Sequence, residues 1–240
     1  IFKIQHAQRR WMAELAALHG LQAVDGVIRL LAARNASNGS KILVLERVDI
    51  FPFKKLRHDP TLVEKFARAG IRILSHIHLR GFSHGDIKLK AFGLGRARGT
   101  SMEGSSVEWP ELGGGTLKLF DFNLSGKATD EVRRGNLPGT AGFVFRDAPP
   151  CVRANGDHIG FSAVIGWLLN VPGFGDPDTS FARAYATVQR YAKQAVTAVT
   201  KRLLCGVQKL LALPRDFEKT QNVFHRTSDP DLGINESKGR

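Results

Sequence analysis

With 240 residues, 42% hydrophobic side chains and 24% charged ones, the chain has material for one large domain or for two lobes sharing a cleft. No apolar run is long enough to span a bilayer, and two cysteines without metal-type spacing, Cys151 and Cys205, exclude a disulfide framework and read as intracellular, cytoplasmic or nuclear. The net charge of +13 predicts acidic partners, whether nucleotide, nucleic acid, acidic protein or anionic lipid, without choosing among them.

Ile1 to Ile4 alternates apolar and polar residues, as a strand with one buried face does. That strand opens the chain without a leader, which reads as a truncated start. Gln8 to His19 follows as a helix, with Trp11, Leu15 and Leu18 at spacings of four and three and Glu14 among them. Val27 to Leu31 and Lys41 to Leu45 read as two strands, joined by the turn formers of Asn35 to Ser40. Glu46-Arg47-Val48 leaves the second strand, and Phe51 to Leu56 is a short helix or turn. Asp59-Pro60 starts a long amphipathic helix over Thr61 to Leu79, with Leu62, Phe66, Ala69, Ile73 and Ile77 on its apolar stripe and Gly81 at its end. His76 and His78 lie two apart on different faces, so they read as core or capping residues, not as a metal pair.

Gly93 to Gly99 lacks the strand before and helix after that a phosphate-binding loop needs. Residues 95–115 read as a floppy hairpin insertion between two short strands, with Arg96 and Arg98 solvated or touching an acidic partner. Asp157 to Leu169 is apolar nearly all round, as a buried helix is. Residues 181–213 form one or two further helices broken near Leu213-Pro214, and residues 225–240 are a polar, disordered tail. The sequons at Asn35, Asn123 and Asn235 read as chance matches. A strand, a helix and a strand pair followed by a mainly helical remainder make the fold class α+β.

The chemistry concentrates in Ser83-His84-Gly85-Asp86-Ile87-Lys88-Leu89-Lys90 and in Leu119-Phe120-Asp121-Phe122-Asn123. Asp86 and Lys88 are two apart, which in an extended loop sends both side chains to one side. A carboxylate able to orient a hydroxyl then sits beside a cation able to neutralise a phosphate. Asp121 is delivered at the end of a short apolar strand. Two acids and a lysine converging in this way suit phosphoryl transfer, where a protein mainly positions groups and neutralises charge.

His84-Gly85-Asp86-Ile87-Lys88 resembles the H-R-D-L-K catalytic loop of eukaryotic protein kinases, and Asp121-Phe122-Asn123 resembles their D-F-G. Gly139-Thr140-Ala141-Gly142-Phe143 with Ala148-Pro149-Pro150 resembles the peptide platform that ends in A-P-E, and Asp157 onward resembles the central helix. The resemblance covers roughly residues 1–190 and implies a two-lobed kinase-like fold. Residues 1–48 would form a partial small lobe of strand, helix and two strands, with no glycine-rich loop before Lys3, and residues 49–224 a helical large lobe. It implies an ATP- and Mg2+-dependent serine/threonine kinase acting on a protein substrate, with Asp86 and Lys88 as catalytic residues. Lys3 would hold the nucleotide phosphates, paired with Glu14, although Lys3 also reads as a solvated edge lysine. Leu45, Glu46 and Val48 would form the adenine-binding hinge, and Asp121 would hold the metal. Thr140 would contact Asp86 and Lys88, Asp157 would hold the catalytic-loop backbone, and His84 would be a backbone anchor. The H-G-D form also occurs in small-molecule kinases, while Lys88 argues for the serine/threonine type.

Gly85 replaces the loop arginine that in the family binds a phosphorylated activation segment, which implies activity not gated in that way. Three further positions depart from the pattern: Ala91 stands where the loop asparagine belongs, Asn123 replaces the D-F-G glycine, and Pro150 replaces the glutamate of A-P-E. They keep open a pseudokinase that binds nucleotide or scaffolds a partner. Bulk charge alone supports a basic nucleic-acid-binding module, for which no zinc or aromatic-basic motif is present.

Overall fold

The structure, a computed structural model, describes residues 2–5, 8–57, 59–95 and 108–212. Strand β1 (Phe2–Gln5) leads into helix α1 (Gln8–Gly20), and strands β2 (Leu30–Asn35) and β3 (Lys41–Leu45) follow. These strands form one antiparallel sheet in the order β1-β3-β2, with Leu43 opposite Lys3. Beyond it come β4 (Val48–Ile50), the short α2 (Phe53–Leu56) and the long α3 (Pro60–Leu79). Asp59 caps α3, its carboxylate accepting the backbone N–H of Thr61 at 2.9 Å and of Leu62 at 3.2 Å, with Pro60 in the first turn where its missing N–H is harmless.

Next in the chain are β5 (Phe82–Ser83), a 3-10 turn at Leu89–Ala91, β6 (Phe92–Gly95) and β7 (Thr116–Leu119). Strands β4, β6 and β7 make a second antiparallel sheet. Two short ribbons complete the strand set among the described residues: β5 with β8 (Gly126–Lys127), and β9 (Glu131–Val132) with β10 (Cys151–Val152). Helices α4 (Arg153–Leu168), α5 (Phe181–Gln194) and α6 (Ala198–Leu211) follow. The fold is therefore mixed α+β with small antiparallel sheets. Cys151 and Cys205 are free, and no helix is long and apolar enough to cross a membrane among the described residues.

The core runs without a break from α1 through α3 to α4 and α6. Phe66 of α3 sits at its centre, 5.2 Å from the ring of Phe92 on β6 and 5.8 Å from that of Phe161 on α4. Helix α4 is buried from Ala154 to Gly166, as its apolar surface requires, and it starts four residues earlier than the sequence pattern predicts.

Two expectations are corrected. The strand expected over Val27 to Leu31 begins instead at Leu30 and runs to Asn35. Val27 and Ile28 are apolar because they tuck against the end of β7: the Ile28 N–H donates to the Leu119 carbonyl at 3.0 Å, and the Leu119 N–H to that of Gly26 at 2.7 Å. The insertion expected to be floppy is anchored over residues 108–115. Trp109 is fully buried there, edge-on to Phe51 at 5.2 Å and covered by the Lys65 ammonium, while Glu111 pairs with Lys65 at 3.0 Å. A large aromatic surface of this kind is a strong anchor for a glycine-rich loop. Arg96, Arg98, Leu213-Pro214, the sequon at Asn235 and the tail at 225–240 lie outside the described residues.

Candidate active site

Six of the side chains singled out in the sequence meet in one place. Lys3 reaches from β1 with its ammonium 2.9 Å from both carboxylate oxygens of Glu14 on α1. The same ammonium donates to Oδ1 of Asp121 at 2.5 Å. On the other side Lys88 stands 3.9 Å from Oδ2 of Asp121 and donates to Oδ2 of Asp86 and, at 3.2 Å, to the Thr140 hydroxyl. Thr140 in turn donates to Oδ1 of Asp86 at 2.7 Å. The row is thus Glu14, Lys3, Asp121, Lys88 and Asp86, with acid and base alternating, closed by the Thr140 hydroxyl. Glu14 is sealed from solvent, while Lys3, Lys88 and Asp121 keep 20–28% of their side-chain surface exposed, so the middle of the row is reachable from outside.

The loop bearing Asp86 is held from beneath by α4. Asp157 accepts the N–H of His84 on Oδ2 and that of Gly85 on Oδ1, both at 2.7 Å, while Oδ2 also receives His78 Nε2 at 2.9 Å. Burial works to raise the Asp157 carboxyl, but the hydrogen bond and charge of His78, together with His84 and the Gly85 N–H, outweigh it and leave the group below its ordinary value. Gly85 itself lies at φ +83°, a left-handed conformation that a side chain would strain. His84 is fully buried and locked as one neutral tautomer, because Nδ1 accepts the Asp86 N–H at 3.1 Å and Nε2 donates to the Phe120 carbonyl at 2.9 Å. Burial lowers its affinity for a second proton in spite of Asp157 nearby. It therefore joins the two acidic segments and carries no proton between them.

Asp121 is a non-glycine residue at φ 71°, a conformation that is costly unless its surroundings enforce it. Here they do. The Phe120 N–H donates to the Ala91 carbonyl at 2.9 Å, Phe122 is fully buried against the His84 ring, and the Phe122 backbone bonds to Glu14. Burial pushes the Asp121 carboxyl up, but the Lys3 hydrogen bond and the charges of Lys3 and Lys88 bring it below its usual value, so it stays ionised. Glu14 goes the other way: burial raises its carboxyl, and Lys3 offsets only part of the rise.

Leu45, Glu46 and Val48 connect to this row through the sheets. Leu45 is buried at the end of β3, the strand that places Leu43 opposite Lys3, and Val48 opens β4 opposite Gly95. The Glu46 carboxylate turns to Arg29, accepting its N–H at 2.9 Å and its Nε at 3.2 Å, and lies 4.0 Å from the buried ammonium of Lys118. Pattern reasoning gave no role to Lys118 or to His78 at Asp157. A lysine inside a strand pattern reads as solvated, and the partner of His78 lies 79 residues away. The periodicity of α3, with Ile73 and Ile77 buried, marked only that its end faces the core.

Hard-oxygen donors for a cation are few on this face. Asp121 offers a carboxylate, each oxygen of Asp86 already accepts one hydrogen bond, from Thr140 or from Lys88, and residue 91 is an alanine without an oxygen on its side chain. That set fits a magnesium ion that arrives on a phosphate and needs one or two protein carboxylates. Among the described residues no group of three or more His, Cys, Asp or Glu could hold a metal ion by itself. A scan against protein-family models finds no match for the chain, and a search of curated proteins finds no relative.

Proposed function

We propose that the chain is a protein serine/threonine kinase-like domain that transfers the γ-phosphate of ATP to a protein hydroxyl. In this reading residues 1–48 are the small lobe and residues 49–224 the large lobe. The observation that carries it is the Lys88 ammonium, which joins Asp86 and Thr140 and faces Asp121, while the Lys3–Glu14 pair closes the other side of Asp121. A hydroxyl entering beside Asp86 would hydrogen-bond to its carboxylate, which orients the oxygen for attack and accepts the proton as the bond to phosphorus forms. Lys88 would neutralise the charge gathering on the transferred phosphoryl oxygens, and Lys3 would hold the phosphates left behind. Asp121 would hold a magnesium ion, which supplies further charge neutralisation when bound. Leu45, Glu46 and Val48 would border the adenine.

Asp86→Asn tests the assignment. The amide keeps an acceptor for Thr140 but cannot take a proton, so single-turnover transfer should fall by at least about a hundred-fold, with ATP affinity nearly unchanged. Equal single-turnover rates in wild type and variant would sink the role given to Asp86. The buried, donor-free Ala91 favours a second reading, a pseudokinase that binds nucleotide without turning it over. Saturable ATP binding with no transfer in the wild type would select it.

A further inference from the structure

Arg153, the first residue of α4, closes its guanidinium on both segments that carry the candidate site. Nε donates to the Ser83 hydroxyl at 2.9 Å, and Nη2 donates to the Leu124 carbonyl. Ser83 opens the loop that carries Asp86, and Leu124 lies three residues beyond Asp121. The same segments are stitched by Ser125 Oγ to the Ser83 carbonyl at 2.6 Å and by Ser83 Oγ to the Gly126 carbonyl at 3.2 Å. Two residues without side chains make room for the planar group. A Cβ on Gly126 would stand 2.7 Å from Nε and 2.8 Å from Cζ, and one on Gly85 would fall on the Leu124 carbonyl oxygen as well as 2.8 Å from Nη2. Gly85 needs glycine for its backbone as well, but Gly126 is outside the left-handed region, so the guanidinium is what its missing side chain accommodates.

We propose that Arg153 is a positioning residue. Its guanidinium fixes the Asp86 loop against the turn that follows Asp121, from within the chain and without a phosphate added to the segment between Asp121 and Pro150. The Nε and Nη2 donors of the planar fork reach oxygens on two separate segments at a fixed spacing, which the single nitrogen of a lysine does not copy. The catalytic consequence rests on the phosphotransfer reading; the clamp itself does not.

The experiment uses the full chain with Arg153→Ala, Arg153→Lys, Gly126→Ala and the Arg153→Ala/Gly126→Ala double variant. It reads kcat, KM for ATP, and hydrogen exchange at the Ser125 and Ala128 amides. Loss of a charged fork from two oxygens should lower kcat on the order of 10- to 100-fold in Arg153→Ala, with KM for ATP little changed. Gly126→Ala should do the same, since its methyl displaces only the far end of a flexible side chain and spares the fold. The double variant should be no slower than Arg153→Ala, because the methyl enters space already cleared. Ethylguanidinium should restore Arg153→Ala, ethylammonium should not, and Arg153→Lys should match the alanine variant. Amide exchange should quicken in both single alanine variants and slow again with ethylguanidinium in Arg153→Ala alone. If the wild type transfers no phosphate, the phosphotransfer reading falls while the exchange results still judge the clamp. Wild-type exchange in Arg153→Ala, or equal rescue by lysine or ethylammonium, would overturn it, and an unfolded Arg153→Ala would leave Gly126→Ala to decide in the same way.

Discussion

Ala91 closes the 3-10 turn ahead of β6 with no exposed surface, and its carbonyl holds the Phe120 N–H that sets up Asp121. A polar side chain at this position would sit inside the apolar core unless it turned to a cation or to Asp86. Ala91→Asn should therefore lower the stability of the nucleotide-free protein by about 1–3 kcal/mol, the penalty for a buried amide without partners. With Mg-ATP present the loss should shrink, and phosphotransfer should rise by about ten-fold or more as a second oxygen joins Asp121 at the metal. Thermal melts with and without Mg-ATP, read beside initial rates, check both halves. A rate that does not rise, with stability unrecovered, would put the pseudokinase reading first. That Asp86, Lys88 and Asp121 come together was legible in the sequence, because the three sit in two short segments of plain local spacing. Arg153 was not, because its contacts reach back 29 and 70 residues to a carbonyl and a hydroxyl that leave no mark in a pattern.

At the scale of the elements, the crossing of α3 on α4 is set by Gly70. A Cβ there would fall on the ring carbons of Phe161, so the helices approach this closely only with glycine at that position. In an isolated helix, Gly→Ala gains about 1 kcal/mol. Here the added methyl meets a fully buried ring wedged between Phe66 and Phe92, and overpacking of that kind costs about 1–3 kcal/mol. Gly70→Ala should thus be destabilising in urea melts, against its helix propensity; a stabilised variant would mean that Phe161 can rotate away. The helices were legible because α3 repeats its apolar residues at helical spacing and α4 is apolar all round. The strand at Leu30 was misplaced for a related reason: Val27 and Ile28 are as apolar as strand residues, but their burial comes from β7, an element 90 residues further on. Apolarity records burial and leaves the partner unnamed.

Over the whole molecule, acid sensitivity follows from histidines kept neutral in the core. His84 and His158 are essentially without exposed surface. Burial lowers the proton affinity of both, in His158 well below the ordinary imidazole value, with the charge of neighbouring His78 acting in the same direction there. Half-buried His76 is lowered as well, by burial and by Arg72. In the unfolded chain these rings take up protons near pH 6.5. Between that pH and the lower folded values the unfolded state binds more protons, so stability is complete above about 6.5 and falls as the pH drops. Asp157, held below its usual value, acts in a separate window: its contribution is present above about pH 4 and is lost as the pH falls through its folded value. The unfolding free energy from urea titrations should be flat from about pH 8 to 7 and decline below about 6.5, each proton taken up adding a slope of about 1.4 kcal/mol per pH unit. His158→Phe keeps a ring of similar size edge-on to His78 and removes one titrating group. Its slope between about pH 6 and 5 should be shallower than wild type by about 1.4 kcal/mol per unit. An unchanged slope would assign the acid sensitivity to other groups, and His84, which ties the Asp86 loop to the Phe120 carbonyl, would be the next ring to replace.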